Sequence, residues 1–105
     1  MNMSETVAQN FKVELSERLD ISSAEALHLS LEDALASGQE IKLMGADVEK
    51  IDTAGAQVLS AFYDEASKLH LKVDWIEPSD TILQIFTFLG LTKKVGLDDQ
   101  EQRDD

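Results

Sequence analysis

Side chains in the first part of the chain alternate as in a half-buried strand and then change to helical spacing. Apolar and polar residues alternate over 11–15, and the alternation returns at Leu19 and Ile21, which predicts two short strands. Ser22 and Glu25 have the spacing of a capping box, a pair of mutual hydrogen bonds that marks a helix start. An apolar stripe at spacings of three and four then predicts the first helix. Its members are Ala24, Leu27, Leu31 and Leu35.

A further strand and helix follow. Gly38 is expected to end the first helix, and the segment from Ile41 to Ala46 predicts a third strand. Val48 and Ile51 lead into a turn, after which residues 53–70 have helical spacing. One side of this second helix is apolar and should pack on a sheet. Its apolar residues are Val58, Leu59, Phe62, Ala66 and Leu69.

The last strand and the last helix are separated by a proline. Residues 71–76 predict a strand that Pro78 stops, and Ser79 is a candidate N-cap for a helix that Gly90 ends. The resulting order is strand, strand, helix, strand, helix, strand, helix, which is typical of α/β domains with parallel crossovers. We therefore predict an α/β fold, with a single small mixed β-sheet and helices packed on it.

The last helix is apolar on more than one side. Ile85 and Phe88 lie away from the stripe formed by Ile82, Phe86 and Leu89. Two interpretations follow from this pattern. The helix is either buried on both sides, or it exposes a patch for a partner or for a homodimer through residues 80–90.

Length and composition suit one domain. The chain has 105 residues, of which 43% are hydrophobic, so it can form one core but not two. We expect a flexible N-terminus over residues 1–9, a domain over 10–97 and an acidic, disordered tail over 98–105. There are 21 acidic and 9 basic residues, giving a net charge of −12. The charge remains strongly negative without the tail, so a partner surface should be basic or apolar, and nucleic acid and anionic lipid are disfavoured.

Other features limit the location and the chemistry. Cysteine is absent, no apolar stretch is long enough for a membrane span, and the N-terminus has no secretory apolar region, so we expect a cytoplasmic protein without membrane insertion. His28 and His70 are isolated, and the five glycines are too dispersed for a phosphate or dinucleotide loop. We predict no catalytic residues, no metal and no cofactor, and therefore not an enzyme.

The segment Asp52-Thr53-Ala54-Gly55 is the main candidate site. It follows a predicted strand and places a hydroxyl in the first turn of a helix. Unpaired N–H groups and the positive end of the helix dipole would stabilise a phosphate on Thr53. The alternative interpretation is an ordinary N-cap, since Asp and Thr before an apolar run commonly have that role.

The element order and this turn, together with the ending Phe88-Leu89-Gly90-Leu91, resemble the STAS domain of sulfate transporters and anti-sigma factor antagonists. The resemblance extends over about residues 10–97. Leu19-Asp20, before the first helix, also matches the second strand of the family. The resemblance to this family implies a bacterial, non-catalytic protein-binding module.

In the anti-sigma factor antagonist branch, the residue at the Thr53 position is phosphorylated by a partner that is both a serine/threonine kinase and an anti-sigma factor. The unphosphorylated form binds that partner and frees the sigma factor for transcription. The resemblance thus implies that Thr53 is the phosphorylation site, that Asp52 and Gly55 shape its turn, and that Asp20 lies on the same partner-binding rim.

Two further likenesses concern the pathway. Residues 73–79, together with Gln57 and Leu59 in the turn segment, look like small stand-alone STAS proteins encoded beside chemotaxis genes, which implies a chemosensory partner. The alternative is a STAS subunit of a lipid ABC transporter complex. In that case the Thr53 turn would bind the ATPase and would not need phosphorylation.

Overall fold

The computed structural model describes residues 9–98, and the predictions for residues 1–8 and 99–105 lie outside them. Within this part of the chain the elements alternate much as the sequence predicts. They are β1 (Asn10–Glu14), β2 (Arg18–Leu19), α1 (Ala24–Ser37), β3 (Glu40–Met44), β4 (Lys50–Ile51), α2 (Thr53–Lys68), β5 (Val73–Ile76) and α3 (Asp80–Leu89). The α/β class is therefore confirmed, and β4 is a short additional strand just before α2.

The strands pair in two sets, and every described pair is parallel. β1, β3 and β5 form a three-stranded sheet with β3 in the centre, in which Val13 is level with Leu43 and Leu43 with Trp75. β2 and β4 form a separate two-stranded sheet, with Leu19 opposite Ile51. Because β2 and β4 run in the same direction, the loops after them lie at the same edge of the molecule.

The core lies between one face of the three-stranded sheet and the helices. Alternate residues along the strands point to this face, and the apolar faces of the helices pack against it. Helix ends follow the predicted signals: Gly38 and Gly90 end α1 and α3 with positive φ, and the Ser79 side chain accepts a hydrogen bond from the N–H of Ile82 at 3.2 Å. The fully buried core residues include Ile41, Leu43, Ala56, Leu59, Ile82 and Phe86.

The C-terminal segment is held by the only tryptophan of the chain. Trp75 is buried, and its indole N–H donates to the carbonyl of Val95 at 2.8 Å. Val95 and Leu97 are themselves buried, so residues after α3 complete the core. Nearby, the Tyr63 hydroxyl donates to the Val73 carbonyl at 3.0 Å, and burial raises the pKa of Tyr63 to about 12. The tyrosine is therefore neutral at physiological pH.

Three local predictions are wrong. The capping box does not form, because the Ser22 hydroxyl donates to the Asp20 carboxylate at 2.6 Å and α1 begins only after Ser23. Ile21 does not continue β2: it is 73% exposed, since the chain turns there toward α1. Leu69 is 53% exposed, because α2 ends at Lys68 and Leu69 lies past the last packed turn.

The opposite face of the three-stranded sheet carries ion pairs. Lys42, on the central strand, contacts the carboxylates of Glu40 and Asp74, each at 3.0 Å. Burial raises the pKa of Asp74, but the hydrogen bond and positive charge of Lys42 lower it more, so that it lies below the ordinary 3.8. The ion pair thus favours the charged form of Asp74 in the folded state.

We expect Asp74→Asn to destabilise the protein at pH 7 by less than about 1 kcal/mol, since the side chain is over a third exposed. A lowered pKa gives stabilisation that is present above pH 3.8 and is lost as the pH falls through the folded-state value. Urea unfolding at neutral and acidic pH should therefore show the two proteins converging. In the Lys42→Met background only the longer contact of Asp74 with Lys72, at 4.0 Å, remains, so Asp74→Asn should have a smaller effect there. A difference that grows on acidification would contradict this account.

Candidate functional site

The candidate site lies where β4 meets α2. Thr53 is the first residue of α2, and Asp52 is its N-cap. One carboxylate oxygen of Asp52 accepts from the N–H of Gly55 at 3.0 Å, which satisfies one of the amide groups left unpaired at a helix start. The N-cap predicted for this segment is thus present, and it fixes the position of Thr53.

Asp52 also connects this turn to the loop between β2 and α1. Its other carboxylate oxygen accepts from the N–H of Ile21 at 3.1 Å, and its own N–H donates to the carbonyl of Leu19 at 3.2 Å. The two loops at this edge are therefore joined by one side chain and one backbone hydrogen bond. We call this region the Thr53 edge, defined by Asp20, Ile21, Asp52, Thr53 and Gly55.

Gly55 allows the helix to approach the neighbouring strand. A Cβ atom at this position would lie 2.1 Å from the carbonyl oxygen of Leu19, far inside the van der Waals contact distance. The backbone of α2 therefore lies directly against β2, and any side chain at Gly55 would push them apart. The glycine is needed here for space, since it has an ordinary helical backbone.

Asp20 has a polar surrounding of its own. Its carboxylate accepts from the N–H and hydroxyl of Ser22 and, at 3.3 Å, from the Arg18 guanidinium. The hydrogen bond from the Ser22 side chain lowers the pKa of Asp20, and Arg18 adds to this, against a smaller opposing effect of burial. The hydroxyl of Ser23 donates to the Arg18 carbonyl at 2.9 Å and accepts from the Asp20 N–H. Asp20 is therefore a fixed negative charge in the loop that Asp52 contacts.

Thr53 itself is exposed, and within residues 9–98 its hydroxyl makes no hydrogen bond. In the same part of the chain, the N–H groups of Thr53 and Ala54 have no acceptor. An added phosphate could accept from these amides, while the carboxylates of Asp20 and Asp52 would keep the region negatively charged. The structure thus places Thr53, Asp52, Gly55 and the loop that contains Asp20 at one edge of the molecule.

An apolar depression lies beside the Thr53 edge. It is formed by Ile51 of β4 and by Thr81, Gln84, Ile85 and Phe88 of α3, and has a volume of about 230 Å³. The Thr81 hydroxyl donates to the Glu49 carbonyl at 3.4 Å, which holds α3 against β4. Phe88 is 84% exposed, whereas Ile82 and Phe86 are buried. Of the two interpretations of α3, the exposed patch is therefore correct, and we call it the Phe88 patch.

Only part of this surface is predictable from periodicity. The helical spacing of α3 separates Phe88 from the buried stripe, but the position of Ile51 beside it depends on the packing of β4 against α3. Alternation predicts a strand position for Ile21, whereas its exposure next to Asp52 places it on the candidate surface. Within residues 9–98, no cluster of three or more His or acidic side chains could hold a metal ion, and no helix is long and apolar enough to cross a membrane.

Comparison with known proteins gives one family match. A family model described as "Mlab, STAS domain" matches residues 3–97, which is most of the chain and includes every element of the fold and the whole Thr53 edge. The comparison with curated proteins gives no match.

The close contact of Gly55 with Leu19 predicts a large cost for the smallest side chain. Gly55→Ala should lower the free energy of unfolding by about 3 kcal/mol, because the helix must move away from β2. Gly38→Ala is the matched control: it has open space around it and a left-handed backbone, so it should cost only about 1 kcal/mol. Thermal and urea unfolding of the two variants measure the difference, and equal stability would show that α2 is not held as described.

Proposed function

Because this chain belongs to the STAS family, we propose that it is a non-catalytic regulatory module that binds a partner protein through the Thr53 edge and is switched by phosphorylation of Thr53. The observation that carries this proposal is the exposed Thr53 hydroxyl at the start of a helix whose first amides are unpaired. The partner would be an anti-sigma factor with serine/threonine kinase activity or a chemosensory protein.

The phosphorylated protein should remain folded. A phosphate adds a charge of about −1.5 to −2 and strong acceptor oxygens, and at Thr53 it would lie at the positive end of the α2 dipole. The N–H groups of Thr53 and Ala54 are available to it without breaking the Asp52 cap, which uses the N–H of Gly55. The modification would therefore change the surface of the protein more than its stability.

The phosphate would disturb the contact with a bound partner, although it would not unfold the protein itself. Its contact surface would fit an edge that already carries the carboxylates of Asp20 and Asp52, with the small Thr53 side chain between the two loops. Extra charge and bulk at Thr53 would have to be accommodated inside that contact, where water cannot screen them. Phosphorylation would thus release the partner, and Asp52 and Gly55 would act by shaping the turn.

The Phe88 patch favours a second candidate function. Apolar surface next to the edge suits a permanent subunit contact, since obligate interfaces are more apolar than transient ones. The candidate is a STAS subunit of a lipid ABC transporter complex that binds the ATPase through the Thr53 turn and needs no phosphate. The homodimer predicted through residues 80–90 would cover the same patch. Sedimentation of the purified protein, which measures its oligomeric state, tests for this homodimer.

Intact-mass and peptide mass spectrometry of the protein from its native host, with and without phosphatase, is the first test. We expect one phosphate, located on Thr53 and removed by phosphatase. A host strain carrying Thr53→Ala should lack it. If no growth condition gives a phosphate at Thr53, the switch is excluded and constitutive assembly is favoured.

Binding measurements with purified candidates separate the two functions. For an anti-sigma kinase, Thr53→Glu should weaken binding by at least about tenfold, while Thr53→Ala binds like the unmodified protein. For a transporter ATPase, Thr53→Ala should itself weaken the complex. Ser30→Glu, which adds the same charge at an exposed position on α1, is the matched control and should bind normally. If both Thr53 variants bind every candidate like the wild type, neither function holds.

A further inference from the structure

A second concave surface lies between α1 and α2, separate from the Phe88 patch. Its floor is formed by Leu31 and Leu35 of α1 and by Val58 and Phe62 of α2. Leu31 and Phe62 are only 2% and 4% exposed, whereas Leu35 and Val58 are partly open to solvent. Ala61, an exposed residue with a small side chain, leaves the groove unfilled. We call this surface the α1–α2 groove.

The size of the groove limits what it can hold. Its volume is about 250 Å³, below the ~300–1,000 Å³ of typical small-molecule sites. A cavity of ~150 Å³ is enough for one benzene ring, so the groove has room for about two apolar side chains and not for a cofactor. It extends from His28 to Leu35 along α1, a distance of about 10 Å at the helical rise. Two side chains one turn apart on another helix would fit this length.

The rim of the groove is acidic. Glu32 on α1 and Glu65 on α2 flank the apolar floor, one on each helix. On the same rim, the Nε2 atom of His28 lies 3.3 Å from a carboxylate oxygen of Glu32. With a net charge of −12 for the whole chain, the groove lies in a negative field that attracts cations. A second copy of the chain would bring the same charge and is disfavoured as an occupant.

We propose that the α1–α2 groove binds a basic amphipathic helix of a partner protein, with two apolar side chains on the floor and Lys or Arg beside Glu32 and Glu65. This mode goes beyond the function proposed for the Thr53 edge and does not depend on it. Gln57, at one end of the groove, follows Thr53 by one helical turn, so one molecule could carry both contacts.

The test uses a defined probe. A helical peptide of about 14 residues, with Leu at two positions one turn apart and Lys around them, is titrated into the ¹⁵N-labelled full chain and followed by NMR. We expect amide shifts concentrated at the groove residues of α1 and α2. A peptide with Glu in place of every Lys should not bind. If the Lys peptide does not bind, the proposal is wrong.

Matched variants separate the groove from general charge attraction. Ala61→Phe fills the groove and should weaken binding of the Lys peptide by at least about tenfold. Ala36→Phe, at an exposed alanine of α1 outside the groove, should leave binding unchanged. Glu32→Lys and Glu65→Lys should each weaken binding of the Lys peptide, whereas Thr53→Glu should not. Binding at the groove is thereby distinguished from binding at the Thr53 edge. Equal binding by Ala61→Phe and the wild type, or shifts spread over all acidic surfaces, would overturn the proposal. Self-association lost in Ala61→Phe would instead identify a second copy as the occupant.

Discussion

The structure depends on the close contact of α2 with β2, which one carboxylate and one glycine make possible. Asp52 accepts hydrogen bonds from the first turn of α2 and from the loop before α1, so a single side chain orients both segments. Gly55 leaves room for the carbonyl of Leu19 beneath the helix. Neither residue contributes much apolar burial. Their role is to set the position at which the apolar face of α2 meets the sheet. Burial of that face then contributes most of the stabilisation at this contact.

The same contact also orders the exposed start of α2. A residue at a helix start is often mobile because the first turn has few hydrogen bonds. Thr53 is held on both sides, by the Asp52 cap and by the packing of Gly55 on Leu19, although its own side chain is exposed. A partner that contacts it would lose little conformational entropy in ordering it.

The sequence predicted most where one residue controls a local conformation. Gly38, Ser79 and Gly90 mark helix ends by backbone and hydrogen-bond chemistry that acts over a few residues, and the Asp52 cap is of the same kind. The capping box failed because Asp20, outside the motif, competes for the Ser22 hydroxyl. The strand β4 has only two residues and exists through its pairing with β2, a distant contact that periodicity cannot detect. Long-range packing of the same kind brings Ile21 into the Thr53 edge and places the Phe88 patch beside it.

The indole of Trp75 makes the protein suitable for intrinsic fluorescence measurements. It is the only tryptophan, it is buried, and its N–H is bonded to Val95 in the segment after α3. Its fluorescence therefore reports on one place, the attachment of the segment after α3 to β5. Detachment of that segment would let water reach the ring while the helices and the Thr53 edge are still in place. The chain thus contains an intrinsic optical probe for loosening of its C-terminal end.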